Sequence, residues 1–120
     1  MADEITINTS LTMRNGNNVF SWTPGAIRIT QTAIGGPTPG YVTIGTSEET
    51  IALGELSTQG VLVKQNLDTT NYVRWGFATG VYGGRIPAGE IAVFRLNPGS
   101  TLYLIANTAA CKMHIYALEN

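Results

Sequence analysis

At 120 residues with 43% apolar side chains, the chain is long enough to bury a core without help from metal or disulfide. Only 12% of its residues are charged, against about 25% in an average soluble domain, and 7 basic against 8 acidic side chains leave a formal net charge of −1. That balance offers no electrostatic footprint for nucleic acid or an anionic membrane, so neither is expected as a partner. In place of charge the surface has 16 Thr, 9 Asn and 14 Gly to draw on. No apolar run reaches the roughly 18 residues that would suggest a membrane span, and the acidic opening Met1-Ala2-Asp3-Glu4 does not read as a secretory signal.

Taken in chain order, the sequence reads as short strands divided by turn signals. From Ile5 to Met13 apolar and polar positions largely alternate, the pattern of a strand with one buried face. Asn15-Gly16 is a strong hairpin signal, because both residues tolerate positive φ, and Val19–Trp22 is the returning strand. Thr23-Pro24-Gly25 reads as a turn into a further strand, Ala26–Thr32, with Ile27 and Ile29 on one face and Arg28 and Thr30 on the other. The run Gly35–Gly40 is a loop by its Gly and Pro content.

Short strands are expected next at Tyr41–Thr46, Thr50–Leu53 and Val61–Gln65. The polar corner Asn66–Asn71 leads into Tyr72–Phe77, which places Val73, Trp75 and Phe77 on one face. Turns at Ile86–Glu90 and Asn97–Ser100 bracket Ile91–Leu96, and Thr101–Ala106 and Cys111–Leu118 close the chain. About eight or nine short strands at this spacing predict an all-β, single-domain antiparallel β-sandwich over residues 1–120, jelly-roll-like in character. The expected core is Ile5, Ile7, Leu11, Ile27, Ile29, Ile44, Ile51, Leu53, Val73, Trp75, Phe94, Leu96, Leu102, Leu104, Met113 and Ile115.

Catalytic sets are hard to assemble from these residues. The one histidine, His114, and the one cysteine, Cys111, fall on opposite faces of the last strand and cannot pair as base and nucleophile within it. Glycosidase chemistry needs two convergent carboxylates. The acids here lie in turns, strand ends or termini, and the one adjacent pair, Glu48-Glu49, points apart. No calcium-loop pattern or phosphate cradle is evident, and no cofactor or metal is expected. The aromatics Trp22, Tyr41, Tyr72, Tyr82, Tyr103 and Tyr116 can lie outside the core by alternation, where such residues either serve interfaces or sugar stacking or cap the sandwich ends as ordinary structure.

Several segments resemble a family of small tailed-bacteriophage virion proteins. They are the opening Met1–Ile7, Ile44–Glu49, Asn66–Val73, Ile86–Glu90, Phe94-Arg95-Leu96 and the closing Ala117-Leu118-Glu119, in order along nearly the whole chain. The resemblance implies a structural protein without catalytic residues, of the head decoration or cement kind. Such a protein is made in the host bacterial cytoplasm and sits on the outer capsid surface. Its partners would be the major capsid protein and further copies of itself, as a dimer or trimer.

Candidate interface residues are Ala2, Glu4 and Thr6 on a terminal arm, Trp22 and Tyr82 as aromatic anchors, and the outward arginines Arg28, Arg74 and Arg95. Ala2–Asn8 reads first as an ordinary first strand of the sandwich, with the arm as the alternative. A tail, neck or fibre component and a carbohydrate-binding module contacting the host surface are the alternative readings.

Overall fold

A computed structural model describes residues 3–53 and 56–120; Ala2 lies outside them. The described residues form ten antiparallel strands and no helix. Contacts divide the chain into two compact units, residues 1–32 and 33–120.

The first unit is a long two-stranded ribbon, β1 (Ile5–Asn15) and β2 (Asn18–Ile29), closed at Asn15↔Asn18 around the expected turn. The expected turn at Thr23-Pro24-Gly25 is instead a β-bulge inside β2. Pairing passes from Thr9↔Gly25 to Leu11↔Trp22, so that the single residue Ser10 lies opposite two, Thr23 and Pro24. Gly25 sits at φ 83°, a conformation that other residues adopt only with strain, and this absorbs the extra residue. The Pro-Gly signal was real, but the strand continued through it because the bulge keeps the flanking residues paired.

The second unit is a sandwich of two four-stranded sheets. Its strands are β3 (Thr38–Ile44), β4 (Glu49–Thr50), β5 (Gln59–Asn66), β6 (Val73–Gly76), β7 (Gly84–Ile86), β8 (Ile91–Arg95), β9 (Tyr103–Ala106) and β10 (Cys111–Glu119). The sheet orders are β3-β10-β5-β8 and β4-β9-β6-β7. Within them, β3 pairs β10, β4 pairs β9, β5 pairs β8 and β6 pairs β7. This nested pairing is one long antiparallel ribbon folded at β6–β7. Rolling it up adds the β10–β5 and β6–β9 pairs, and the result is a jelly roll.

Relative to the sequence reading, β7 is an additional strand, too short and Gly-rich to show a period. Strand β3 starts at Thr38, inside the expected loop, and Pro39 is tolerated there because β3 lies at a sheet edge.

The core lies between these two sheets. Ile44, Leu53, Val73, Leu96, Leu102, Leu104, Met113 and Ile115 are buried as expected, with Ile51, Trp75 and Phe94 packed against them. Leu56, Leu62, Ile86, Ala106, Cys111 and Ala117 complete the cluster. The expected core residues of the ribbon do not join it: Leu11 is 57% exposed and Ile27 45%, Ile7 and Ile29 are partly exposed, and Ile5 is buried outside the cluster. Their alternation correctly marks one apolar face. Alternation carries no information on whether a second layer covers that face.

Of the four buried polar side chains among the described residues, Thr38, Lys64, Asn66 and Glu119, the last three are accommodated in different ways. Asn66 donates from Nδ2 to the carbonyls of Asn71 (2.9 Å) and Ile86 (3.1 Å) and accepts from the Asp68 amide (3.0 Å), fixing the corner after β5. Glu119, 3% exposed, accepts from the Ser57 hydroxyl and from the amides of Ser57 (2.9 Å) and Thr58 (3.1 Å). The Ser57 hydroxyl, with the Thr58 and Ser57 amides, holds its carboxyl below the usual range despite desolvation. Lys64 is fully buried, and its Nζ has no hydrogen-bond partner. Burial pushes its pKa down to about 6, so the amine is neutral at pH 7.

Two predictions follow from these groups. The Lys64 amine titrates near 6 in the fold and near 10.4 in an unfolded chain. Unfolding between those values takes up a proton, so stability rises with pH across that window, by up to about 1.4 kcal/mol per pH unit. Below pH 6 both states are protonated and the full cost of the buried charge remains. Lys64→Met is expected to raise the urea midpoint at pH 7 and flatten the slope of stability between pH 6 and 10. Glu119 behaves oppositely: its folded pKa is depressed, so its contribution is present above the ordinary carboxylate pKa and lost as pH falls. Glu119→Gln should lower the midpoint at pH 7 and weaken the dependence on acid, read by unfolding curves from pH 7 down to 3.

Candidate functional site

The ribbon places all its large apolar side chains but one on a single face. Cross-strand neighbours share a face, and the pairs Ile5↔Ile29, Ile7↔Ile27, Leu11↔Trp22 and Met13↔Phe20 all fall on the same side. The opposite side carries Thr6↔Arg28, Asn8↔Ala26, Thr12↔Ser21 and Arg14↔Val19. Toward the turn the apolar face is open: Trp22 is 55% exposed, Phe20 48% and Met13 41%. With Leu11 and Ile27 this amounts to on the order of 500 Å² of apolar surface, comparable to the largest patch on an ordinary monomer, which is often functional.

A second feature lies between the sheets of the sandwich. Trp75 on β6 stacks on Phe94 of β8 with ring centroids 5.0 Å apart and planes 9° from parallel, and Phe77 meets both edge-on. Trp75 fits there because Gly84, its cross-strand partner, has no side chain; a Cβ at that position would overlap the indole. The Lys64 Nζ lies 3.5 Å from the Trp75 ring centroid and 4.5 Å from that of Phe94, so its N–H groups have only aromatic faces to meet. Beside Trp75 the turn Ala78–Val81 folds back through an isolated bridge and leaves an open apolar cavity of about 430 Å³, lined by Trp75, Gly76, Phe77, Ala78, Val81 and Gly83. Lys64 has the deprotonated amine that Schiff-base chemistry requires, but at 0% exposure it meets no substrate.

The expected interface residues distribute as follows. Glu4, Thr6, Trp22 and Arg28 belong to the ribbon. Glu4 accepts weakly from the Gln31 amide (3.4 Å), Thr6 and Arg28 face each other on the polar side, and Trp22 is on the apolar side. Arg74 and Tyr82 come together on the outer face of the β4-β9-β6-β7 sheet, the guanidinium 5.0 Å from the ring centroid. Arg95 is on the other sheet, where it donates to the Asn120 side chain.

The Tyr82 hydroxyl donates to Glu48, which also accepts from the Thr79 hydroxyl and the Gly80 amide (2.7 Å). The Thr79 and Tyr82 hydroxyls, then the Gly80 amide, pull the Glu48 pKa down, and the Glu48 carboxylate pushes that of Tyr82 up. Glu49 turns elsewhere, to the Gly45 amide. The two adjacent carboxylates therefore diverge, each to its own set of donors.

His114 lies between Tyr41 (5.7 Å) and Tyr116 (5.6 Å) on the outer side of β10, and Cys111 is fully buried on the inner side. Burial raises the thiol pKa, which keeps it protonated. Among the described residues no cluster of His, Cys, Asp and Glu could hold a metal ion. Sequence reasoning passed over Lys64 and Arg85; a lysine directly after the apolar run Val61–Val63 was the one available signal. Comparison of the chain with protein-family models, with curated protein sequences and with solved structures returned no match.

The open ribbon face generates its own prediction. Phe20→Ser combined with Trp22→Ser should sharply reduce binding of the apolar dye ANS while changing the stability of the sandwich by no more than about 0.5 kcal/mol, the usual range for exposed sites. A larger loss in the thermal unfolding of the double variant would mean that the face is already covered within the chain.

Proposed function

We propose that this chain is an assembly protein of a tailed-phage virion. It acts as a decoration protein, seated on the outer surface of the major capsid lattice and reinforcing contacts between capsomers. The observation that carries the reading is the apolar face of the ribbon. A two-stranded hairpin is marginal in water by itself, and this one presents Leu11, Met13, Phe20, Trp22 and Ile27 together on the half of its face nearest the turn. Such a ribbon is suited to lying against another protein, where aromatic and aliphatic anchors supply most of the binding energy.

The rest of the molecule is compatible with that role. The jelly roll offers a rigid base, and the same architecture recurs in viral capsid proteins as well as in lectins and cupins, so it supports the reading by analogy only. The low charge keeps the desolvation cost of a covered surface small. The likeness of the turn segments to small phage virion proteins supplies the choice of assembly.

The test is binding to expanded phage heads that lack the protein, followed by sedimentation. Wild-type chain should co-sediment in hundreds of copies per head and raise the temperature at which the heads rupture. The Phe20→Ser, Trp22→Ser variant should lose at least tenfold in affinity. No binding to heads, or a dozen copies per virion in place of hundreds, would move the protein to the tail or remove it from the virion.

A further inference from the structure

On the outer face of the β4-β9-β6-β7 sheet, two arginines stand directly opposite each other, Arg74 on β6 and Arg85 on β7. Both are exposed. Side chains so placed start about 5 Å apart at Cβ, and like charges directly opposite on antiparallel strands are unfavourable. The chain has only 7 basic residues, so this is a costly juxtaposition on a surface otherwise sparing with charge. Among the described residues neither guanidinium has a carboxylate in ion-pair contact. Glu48, at the margin of the face, has its oxygens engaged by Thr79, Gly80 and Tyr82.

Each guanidinium is instead laid over a tyrosine. Arg74 lies 5.0 Å from the Tyr82 ring and Arg85 lies 4.6 Å from the Tyr72 ring. Tyr82 precedes β7 and Tyr72 precedes β6, so the two arginines lean in opposite directions along the strand pair. The face therefore reads Tyr72, Arg85, Arg74, Tyr82, with an approximate twofold repeat of one Arg-over-Tyr unit. Tyr103 and Ile105 of β9 adjoin it on the same side, Ile105 directly beside Arg74. Tyrosine and arginine without lysine is the composition of interface centres. Stacking on a ring also holds a guanidinium fork in place for a carboxylate.

The geometry points to this face as a docking surface for an acidic segment of a partner protein, with Arg74 and Arg85 each taking one carboxylate of that segment. Two forks leaning apart suit two side-chain carboxylates better than one small anion. A nucleic-acid backbone would call for a longer basic stripe than two residues on a chain of net charge −1. The inference holds for any partner that presents such a segment and does not depend on the assembly being a phage head.

The test uses the full chain and a fluorescein-labelled hepta-glutamate peptide, read by fluorescence anisotropy at low salt. A labelled dT10 oligonucleotide and inorganic phosphate serve as competing anions. Binding of the peptide is expected to weaken about threefold in Arg74→Gln or Arg85→Gln and at least tenfold in the double variant. It should be unchanged in Lys112→Gln, which removes an exposed charge from β10 on the other sheet. Arg Nε–Hε signals of Arg74 and Arg85 should shift on titration with the peptide. The unfolding midpoint of Arg85→Gln should stay level or rise, since a like-charge neighbour is removed; this separates lost binding from lost folding.

Equal weakening by Lys112→Gln, or full binding by the double variant, would overturn the proposal. So would tighter binding of dT10 than of the peptide, or competition by millimolar phosphate that abolishes peptide binding at constant ionic strength.

Discussion

A β-sheet hides an apolar face only when a second layer covers it, and most of what distinguishes this protein follows from where that layer exists. Residues 33–120 supply it for themselves: the nested pairs from β3–β10 to β6–β7 roll into two sheets whose inner faces meet. The described residues of the first unit, 3–32, form two strands and no more. The same alternation of apolar and polar residues therefore produces a closed core in one unit and an open ladder in the other.

The interior of the roll shows how polar groups are accommodated once the layers close. Asn66 and Glu119 bring their partners with them, bonding to turns that the sheets place within reach. Lys64 has no such partner and remains compatible with the core by giving up its proton beneath Trp75 and Phe94. The loss of a charge inside and the scarcity of charge outside leave few ionic contacts to define the surface. What defines it instead is shape and aromatic placement: the ribbon ladder, the cavity beside Trp75, and the arginines laid on Tyr72 and Tyr82.

Much of the fold was legible because strand period and turn chemistry act over a few residues. Asn15-Gly16 closes the ribbon, and the periods of Ile91–Leu96 and Cys111–Leu118 mark β8 and β10 with only end residues differing. Misreadings occurred where distant contacts override the local signal. Thr23-Pro24-Gly25 became a bulge because β1 continues opposite it. Gly84–Ile86 became a strand because β6 and the Trp75 ring accept its glycine. Of the candidate interface residues, Arg74 and Tyr82 could be named from alternation and residue type, but their contact could not, nor could the presence of Arg85 beside Arg74.

The sequence by itself determined that this chain is all-β, sparing in charge, and apolar on one face of each strand, since these are properties of composition and period two. Only the tertiary structure decided which of those faces are covered. It left Leu11, Phe20 and Trp22 exposed, sealed Lys64 inside, and set two like charges side by side. The reason is physical: coverage and juxtaposition depend on strand order and register across tens of residues, and a local pattern fixes neither. The sparse charge thus takes its arrangement only in three dimensions, as a surface that carries an exposed apolar ribbon face and two facing arginines.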